Sequence, residues 1–355
     1  MINFTPGPSE LYFTVSDHMK KAFRDGVPSL SHRSKSFESI FTEVNEGLRE
    51  LLGIPPGFHL AFCSSATEIW ERSIQNLVGE TSYHLVNGAF SKKYFEISKQ
   101  LGKKATATET VAGTGFQEAK VPTGQELIAL THNETSTGVS LTLPFIKSIR
   151  AQSPQSLIIV DAVSSLPYPE FDYTSVDSLF FSVQKGFGLP AGLGVWLYND
   201  RCLAQAEGLL ASGKSIGTYH NLPTLNAFAK KNQTPETPNV LSIYLLGKVI
   251  ADFLRRGITT IRRETDYKAA VLYQVLDQRK DFRAFVERPE DRSKTVITVS
   301  CPERIQELTP YLMAKGFYPG EGYGAFKSTQ LRFANFPAHS KEQYEALADA
   351  LEQFS

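Results

Sequence analysis

Along residues 36–52 the apolar side chains Phe37, Ile40, Phe41, Val44, Leu48, Leu51 and Leu52 recur at three- and four-residue steps, and Gly53 follows the run. That spacing predicts an amphipathic helix ended by the glycine. The apolar runs then shorten. HLAFC (59–63) passes through the polar turn SSAT (64–67) into the helical stretch EIWERSIQNLV, so a strand is predicted to feed a helix. Strand-like YHLV (83–86), ELIALTH (126–132) and SLIIVD (156–161) alternate with helix-like KKYFEISKQLG and LPFIKSIRAQ. Short strands of this kind with helices between them predict an α/β fold: a mainly parallel central sheet covered on both faces. DSLFFSVQK (177–185) and GLGVWLYN (192–199) flank a Gly-rich turn and are predicted to pair as a hairpin at one edge of that sheet. Beyond them VLSIYLLGKVIADFLRRG (240–257) and TTIRRETDYKAAVLYQVLD are helical, with the change of domain placed along these helices. TVITVSC (295–301), ERIQELTPYLMAKG, TQLRFANF (329–336) and KEQYEALADALEQF then predict a smaller α+β unit.

Charge narrows the range of partners. The 355 residues carry 37 Lys plus Arg against 37 Asp plus Glu, a balance that removes the electrostatic footprint of a nucleic-acid or membrane-surface binder and leaves small neutral or anionic ligands. Cys63, Cys202 and Cys301 are far apart and form no CxxC or Cys/His cluster. Neither a disulfide framework nor a bound metal is expected, and a reducing, cytoplasmic compartment fits. The chain opens on MINFTPGPSELYFTV, without the basic and apolar segments of a signal peptide, and its apolar runs are too short to span a bilayer.

Several residues have the position and type for chemistry. Lys185 closes the strand-like LFFSVQ and opens the loop GFGLPAGLG; a lysine there is either a Schiff-base nucleophile or a solvated strand cap. Asp161 ends the most apolar predicted strand, at the edge where open α/β sheets bind ligands, and is read either as a pyridinium partner or as a helix cap or ion-pair partner. The SSAT turn could hold a phosphate at the positive end of its helix or simply cap it. His32 and Arg33, in SHRSKSF, precede a helix. Arg332 interrupts the strand QLRFANF, where an arginine needs an anionic partner, either a structural carboxylate or a substrate. Trp70 and Tyr244 read as core, and Arg255/Arg256 and Arg262/Arg263 as solvated helix faces.

Together NFTPGPS (3–9), SHRSKSF (31–37), SATEIW (65–70), NETSTG (133–138), DAVSS (161–165) and VQKGFG (183–188) resemble, in order and spacing, the class V aminotransferases. Within them the SHRS, NET and QK motifs and a late TP look most like the phosphoserine aminotransferases, over essentially the whole chain. The resemblance implies a fold type I transferase using pyridoxal 5'-phosphate, with a large domain over 14–250 and a small one over 251–355 together with 1–13. It implies a homodimer with shared active sites, for which the apolar 240–254 segment leaves room, and small-molecule amino-acid and 2-oxo-acid substrates. By the same resemblance Lys185 carries the cofactor and moves a proton, Asp161 holds the pyridine nitrogen, Phe90 stacks on the ring, and Thr135 meets the ring hydroxyl. Ser65, Ala66, Thr67 and Gln184 hold the phosphate, joined by Thr237 from across the dimer, although Glu236 replaces the family's usual Asn. Arg332 would clamp the substrate α-carboxylate, and His32 and Arg33 its distal anion. This chain has Thr67 where familiar members carry a further Arg, and AFKS (325–328) where they carry a His-Arg pair, a loss that Lys327 is expected to offset in part. Those departures keep open a small-amino-acid enzyme of the alanine–glyoxylate or serine–pyruvate type. Two other readings are a cysteine desulfurase-like lyase, with Cys301 as its nucleophile, and a non-catalytic cofactor-binding protein.

Overall fold

The helix predicted from the 36–52 stripe runs Lys35–Leu52: Ser34 accepts the Phe37 N–H at its start, and Gly53, at φ 66°, ends it. The structure, a computed structural model, describes residues 1–354. The buried face of this helix packs along the helix Val240–Arg256. That helix carries the apolar 240–254 segment left free for an interface by the sequence, and its Ile243, Leu246, Val249, Ile250 and Phe253 are buried in the chain's own core.

The strands, in chain order, are β1 (Ile2–Phe4), β2 (Phe58–Cys63), β3 (Thr81–Val86), β4 (Lys104–Glu109), β5 (Leu127–Thr131), β6 (Asn133–Glu134), β7 (Val139–Ser140), β8 (Leu157–Asp161), β9 (Ser178–Ser182), β10 (Gly194–Asn199), β11 (Arg283–Ala284), β12 (Val296–Ser300), β13 (Phe317–Glu321) and β14 (Gln330–Ala334). The large sheet has the order β2-β10-β9-β8-β5-β3-β4. It is parallel from β9 to β4, and β10 runs antiparallel between β9 and β2. The predicted hairpin β9–β10 therefore exists but lies inside the sheet, because β2 pairs with β10 along its whole length and becomes the edge.

Alternate residues of each central strand enter two different cores. Leu60, Phe62, Ile158, Val160, Leu179 and Phe181 face one cluster, and Ala61, Cys63, Leu157, Ile159 and Phe180 the other. Helices cover both faces, which is why these strands are apolar at every position. β4 went unpredicted because KATATE, at the outer edge beside β3, has little to bury.

The second sheet has the order β1-β13-β14-β12-β11. Its first strand is the N-terminal Ile2–Phe4, parallel to β13, so the chain begins in the sheet that its last hundred residues build. The segment from β1 to the helix Val15–Arg24 then passes the large sheet, where the Ser9 N–H donates to the Gln184 carbonyl at 3.1 Å.

Candidate active site

The carboxyl ends of β2, β3, β5, β8 and β9 lie at one edge of the large sheet, and the register brings Asp161 beside Thr131 and Phe180, and Gly194 beside both Ser182 and Cys63. The loops leaving those ends enclose a cavity of ≈ 190 Å³ lined by Gly7, Ser65, Ala66, Thr67, Trp70, Phe90, Thr131, Asn133, Thr135, Asp161, Val163, Ser182, Gln184 and Lys185. Nine positions expected at a cofactor from the sequence were Ser65, Ala66, Thr67, Phe90, Thr135, Asp161, Gln184, Lys185 and Thr237. The structure brings the first eight together here.

Lys185 is buried, its Nζ donates to Thr135 Oγ1 at 3.1 Å, and it stands 5.4 Å from the centroid of the Phe90 ring. Burial pulls its pKa down to about 8, against the opposing attraction of Asp161. Gly7 crosses over the side chain: a Cβ there would lie 2.7 Å from Lys185 Cε, at φ +147°. The NFTPGPS segment can cover the lysine only with glycine at this position.

Asp161 is buried too, and burial pushes its carboxyl up to about 6 even though it accepts two hydrogen bonds, from Val163 N–H at 2.9 Å and Trp70 Nε1–H at 2.8 Å. Trp70, read from the sequence as core, is buried as expected, but its indole N–H is spent on orienting this carboxylate. Thr135 joins several elements: its hydroxyl accepts from Lys185 and donates to Ser164 Oγ at 2.9 Å, and its carbonyl accepts Arg332 Nη1–H at 3.1 Å.

The SSAT turn serves both uses that the sequence left open. Ser65 is the cap of the helix Ala66–Leu77, accepting the Glu68 N–H, and the Ala66 N–H goes to Ser182 Oγ at 2.8 Å. Thr67 lines the cavity and its N–H has no acceptor within the described residues, so the helix's positive end remains open to an anion. The Gln184 amide oxygen is likewise buried without a partner. An amine of lowered basicity, an oriented carboxylate, an aromatic face and an open helix end fit a flat pyridine ring bearing one phosphate arm.

The expected substrate residues are scattered. Arg332 is nearly buried, its Nε–H bound to the Glu321 carbonyl at 2.7 Å, and it reaches the site through Thr135. Arg33 is turned to another segment: it donates to the Thr234 carbonyl at 2.6 Å and to Gln233 Oε1 at 3.2 Å, and stacks on Phe228. Neither it nor His32 lines this chain's cavity. Lys327 is exposed and paired with Glu321 at 3.2 Å. Thr237 lies in an adjoining cavity of ≈ 500 Å³ that shares Ser65 and Thr67 with the first. Cys301 is fully buried in the core behind the second sheet, and burial pushes its thiol up to about 12, which leaves it unsuited to attack on a substrate.

Sequence reasoning missed Trp70, Ser164 and Ser182 as site residues. Their roles depend on partners 91, 29 and 116 positions away, and no local pattern records such pairs.

The sequence model of the family described as Aminotransferase class-V matches residues 1–310. A phosphoserine aminotransferase of Nocardioides sp. is 29% identical, with the match covering 98% of this chain and 94% of that protein. The crystal structure of a phosphoserine aminotransferase from Cytophaga hutchinsonii superposes with a TM-score of 0.98 at 48% identity, over 100% of this chain and 99% of the other. An aspartate aminotransferase of subgroup IV from Thermus thermophilus, 24% identical, shares the fold at a TM-score of 0.87, over 99% and 98% of the two chains.

Proposed function

The chain belongs to the aminotransferase class-V family and is a pyridoxal-phosphate-dependent aminotransferase of fold type I, and from that premise we propose that it converts 3-phosphohydroxypyruvate and glutamate to phosphoserine and 2-oxoglutarate. The observation that carries the site assignment is the buried Lys185 amine, set between the Thr135 hydroxyl and the Phe90 ring in the cavity that Asp161 also lines. Bound pyridoxal phosphate supplies an electron sink for the pair left when Cα loses its proton.

The chain's own groups do the rest. Lys185 would hold the cofactor and act as the acid/base for the substrate Cα proton: its lowered pKa keeps a neutral amine available to bind and to accept that proton, and the ammonium so formed would give it back. Asp161, oriented by Trp70 and Val163, would keep a proton on the ring nitrogen. Phe90 would stack on the ring, Thr135 would bond the ring hydroxyl, and Thr67 with Ser65, Ala66 and Gln184 would hold the phosphate. Arg332 clamps the α-carboxylate, and His32 and Arg33 meet the distal anion. Because these last two do not line their own chain's cavity, the reading commits them, with Thr237, to a neighbouring protomer's site in a homodimer. The division into domains 14–250 and 251–355 with 1–13 belongs to the same proposal, as does a cytoplasmic location. No helix among the described residues is long and apolar enough to cross a membrane.

One observation favours a second reading, a small-amino-acid aminotransferase of the alanine–glyoxylate or serine–pyruvate type: Arg33 is already engaged by backbone carbonyls. Comparing kcat/KM for phosphoserine, serine and alanine separates the two. Arg33→Ala should cost about 2–5 kcal/mol for the phosphorylated substrate, because a desolvated anion loses its partner, and far less for alanine. A wild-type preference for alanine or serine, with Arg33→Ala neutral, would overturn the phosphoserine assignment.

A further inference from the structure

Beside the open helix end, two carboxylates are joined through one imidazole. Glu68, in the first turn of the helix Ala66–Leu77, accepts the Ser64 N–H at 2.8 Å and the Ser64 hydroxyl at 2.7 Å with Oε2, so its carboxylate is built into the phosphate turn. Its Oε1 accepts a short hydrogen bond from His220 Nδ1. The other ring nitrogen, Nε2, lies 3.2 Å from Glu236 Oε2, an ion contact whose angle falls short of a hydrogen bond. Glu236 directly precedes Thr237, and both line the ≈ 500 Å³ cavity with Ser65, Thr67 and His220. On the far side of that loop, the Thr234 hydroxyl donates to the Glu236 carbonyl at 2.7 Å.

We propose that His220 is a positioning residue for the phosphate end of the cofactor sites: as an imidazolium it ties the Glu236–Thr237 segment, whose Thr237 is assigned above to the neighbouring protomer's phosphate, to this chain's own Ser64–Thr67 turn and cancels one of two carboxylate charges that would otherwise face a phosphate. The other groups around it agree with this role. Arg72 Nε lies 3.6 Å from Glu68 Oε1 and offsets the second charge, and the Tyr219 ring packs 4.2 Å from the imidazole. Burial works to strip the His220 proton, but the contacts with Glu236 and Glu68 outweigh it and hold the pKa at about 9. Burial also works to raise Glu68, and the bonds from His220 and Ser64 bring it down to about 2. Cys63 places a third ligand-type atom within 4.8 Å of Glu68 and His220. Its thiol is held well above the usual range, by burial first and then by the two carboxylates, and both imidazole nitrogens already face carboxylates. Each imidazole nitrogen thus faces a carboxylate, and the imidazolium charge, with that of Arg72, balances that pair.

The inference rests on the cofactor assignment above, and its test separates the two. Cofactor retention is measured by equilibrium dialysis of the holoprotein from about pH 7 to pH 10.5. His220→Gln should weaken retention about tenfold near pH 7.5, and wild type should fall towards the variant's level as pH passes about 9, where the imidazolium is lost. His220→Gln combined with Glu236→Gln should recover most of the loss, since one fewer carboxylate then needs no counter-charge. Retention in His220→Gln equal to wild type, or a folded double variant no better than the single one, would overturn the inference. If wild type itself fails to hold pyridoxal phosphate, or Lys185→Ala keeps the wild-type spectrum, the cofactor assignment has failed instead.

Discussion

At Lys185 desolvation and attraction pull in opposite directions, and desolvation wins: the Asp161 carboxylate raises the amine's pKa, yet burial brings it from 10.5 down to about 8. The neutral amine is the form that attacks a carbonyl. At pH 7.5 the shift lifts its share from roughly 0.1% to roughly a quarter. Capture of pyridoxal phosphate by the apoprotein, trapped with borohydride and read at Lys185 by mass spectrometry, should therefore rise with pH through a midpoint near 8. A midpoint near 10 would mean a solvated lysine. The sequence placed Lys185 and Asp161 at strand ends; Asp161 is the last residue of β8, whereas β9 stops at Ser182 and Lys185 stands three residues further on, in the turn. It read Trp70 only as core, because an indole in an amphipathic helix signals burial whether or not its N–H has a partner.

At the scale of elements, the site depends on how closely a strand passes a helix end. A Cβ on Gly194, the first residue of β10, would lie 2.6 Å from the Ser65 carbonyl carbon and 3.1 Å from the Ala66 nitrogen, both backbone atoms that cannot swing away. Gly194→Ala should push the phosphate turn aside, cost about 1–3 kcal/mol of stability and weaken cofactor retention. Gly208, inside the helix Asp200–Ala211, has open space where a methyl group would stand, with nothing within 4 Å. Gly208→Ala should stabilise by roughly 0.5–1 kcal/mol and leave retention unchanged. Urea midpoints and dialysis on the two variants check both; equal behaviour would refute the close-approach argument. The elements legible beforehand were those with a covered face. β4 and the short β11 escaped because each buries few side chains, and β13, FYPGE, because Pro319 and Gly320 interrupt the strand pattern.

For the whole molecule, the open question is what the exposed apolar residues of the N-terminal segment meet. Leu11, Phe13 and Phe23 are 44%, 75% and 61% exposed, within one short stretch of chain, whereas the 240–254 segment is used up internally. With Arg33, His32 and Thr237 all outside their own chain's cofactor cavity, these side chains are where the proposed dimer with shared sites would make contact. Light scattering should give twice the mass of one chain, and Phe13→Glu should shift the balance towards monomer with loss of activity. A fully active monomer would remove the shared-site proposal and with it the distal-anion role of Arg33.

Local periodicity was enough to determine the α/β class, the mainly parallel sheet and the strand-end position of Asp161, because burial on two faces leaves a continuous apolar record in each strand. The family motifs added the expected cofactor and the residues expected to hold it, eight of which line one cavity. Only the tertiary structure decided that β2, not the β9–β10 hairpin, forms the edge, that Trp70 orients Asp161, that Arg33 is held by a segment 201 residues away, and that His220 joins Glu68 to Glu236. Each of these is a directional contact between segments distant in sequence. A hydrogen bond or ion pair depends on where two chain segments meet in space, and hydrophobic spacing records only that a residue is covered, not by what.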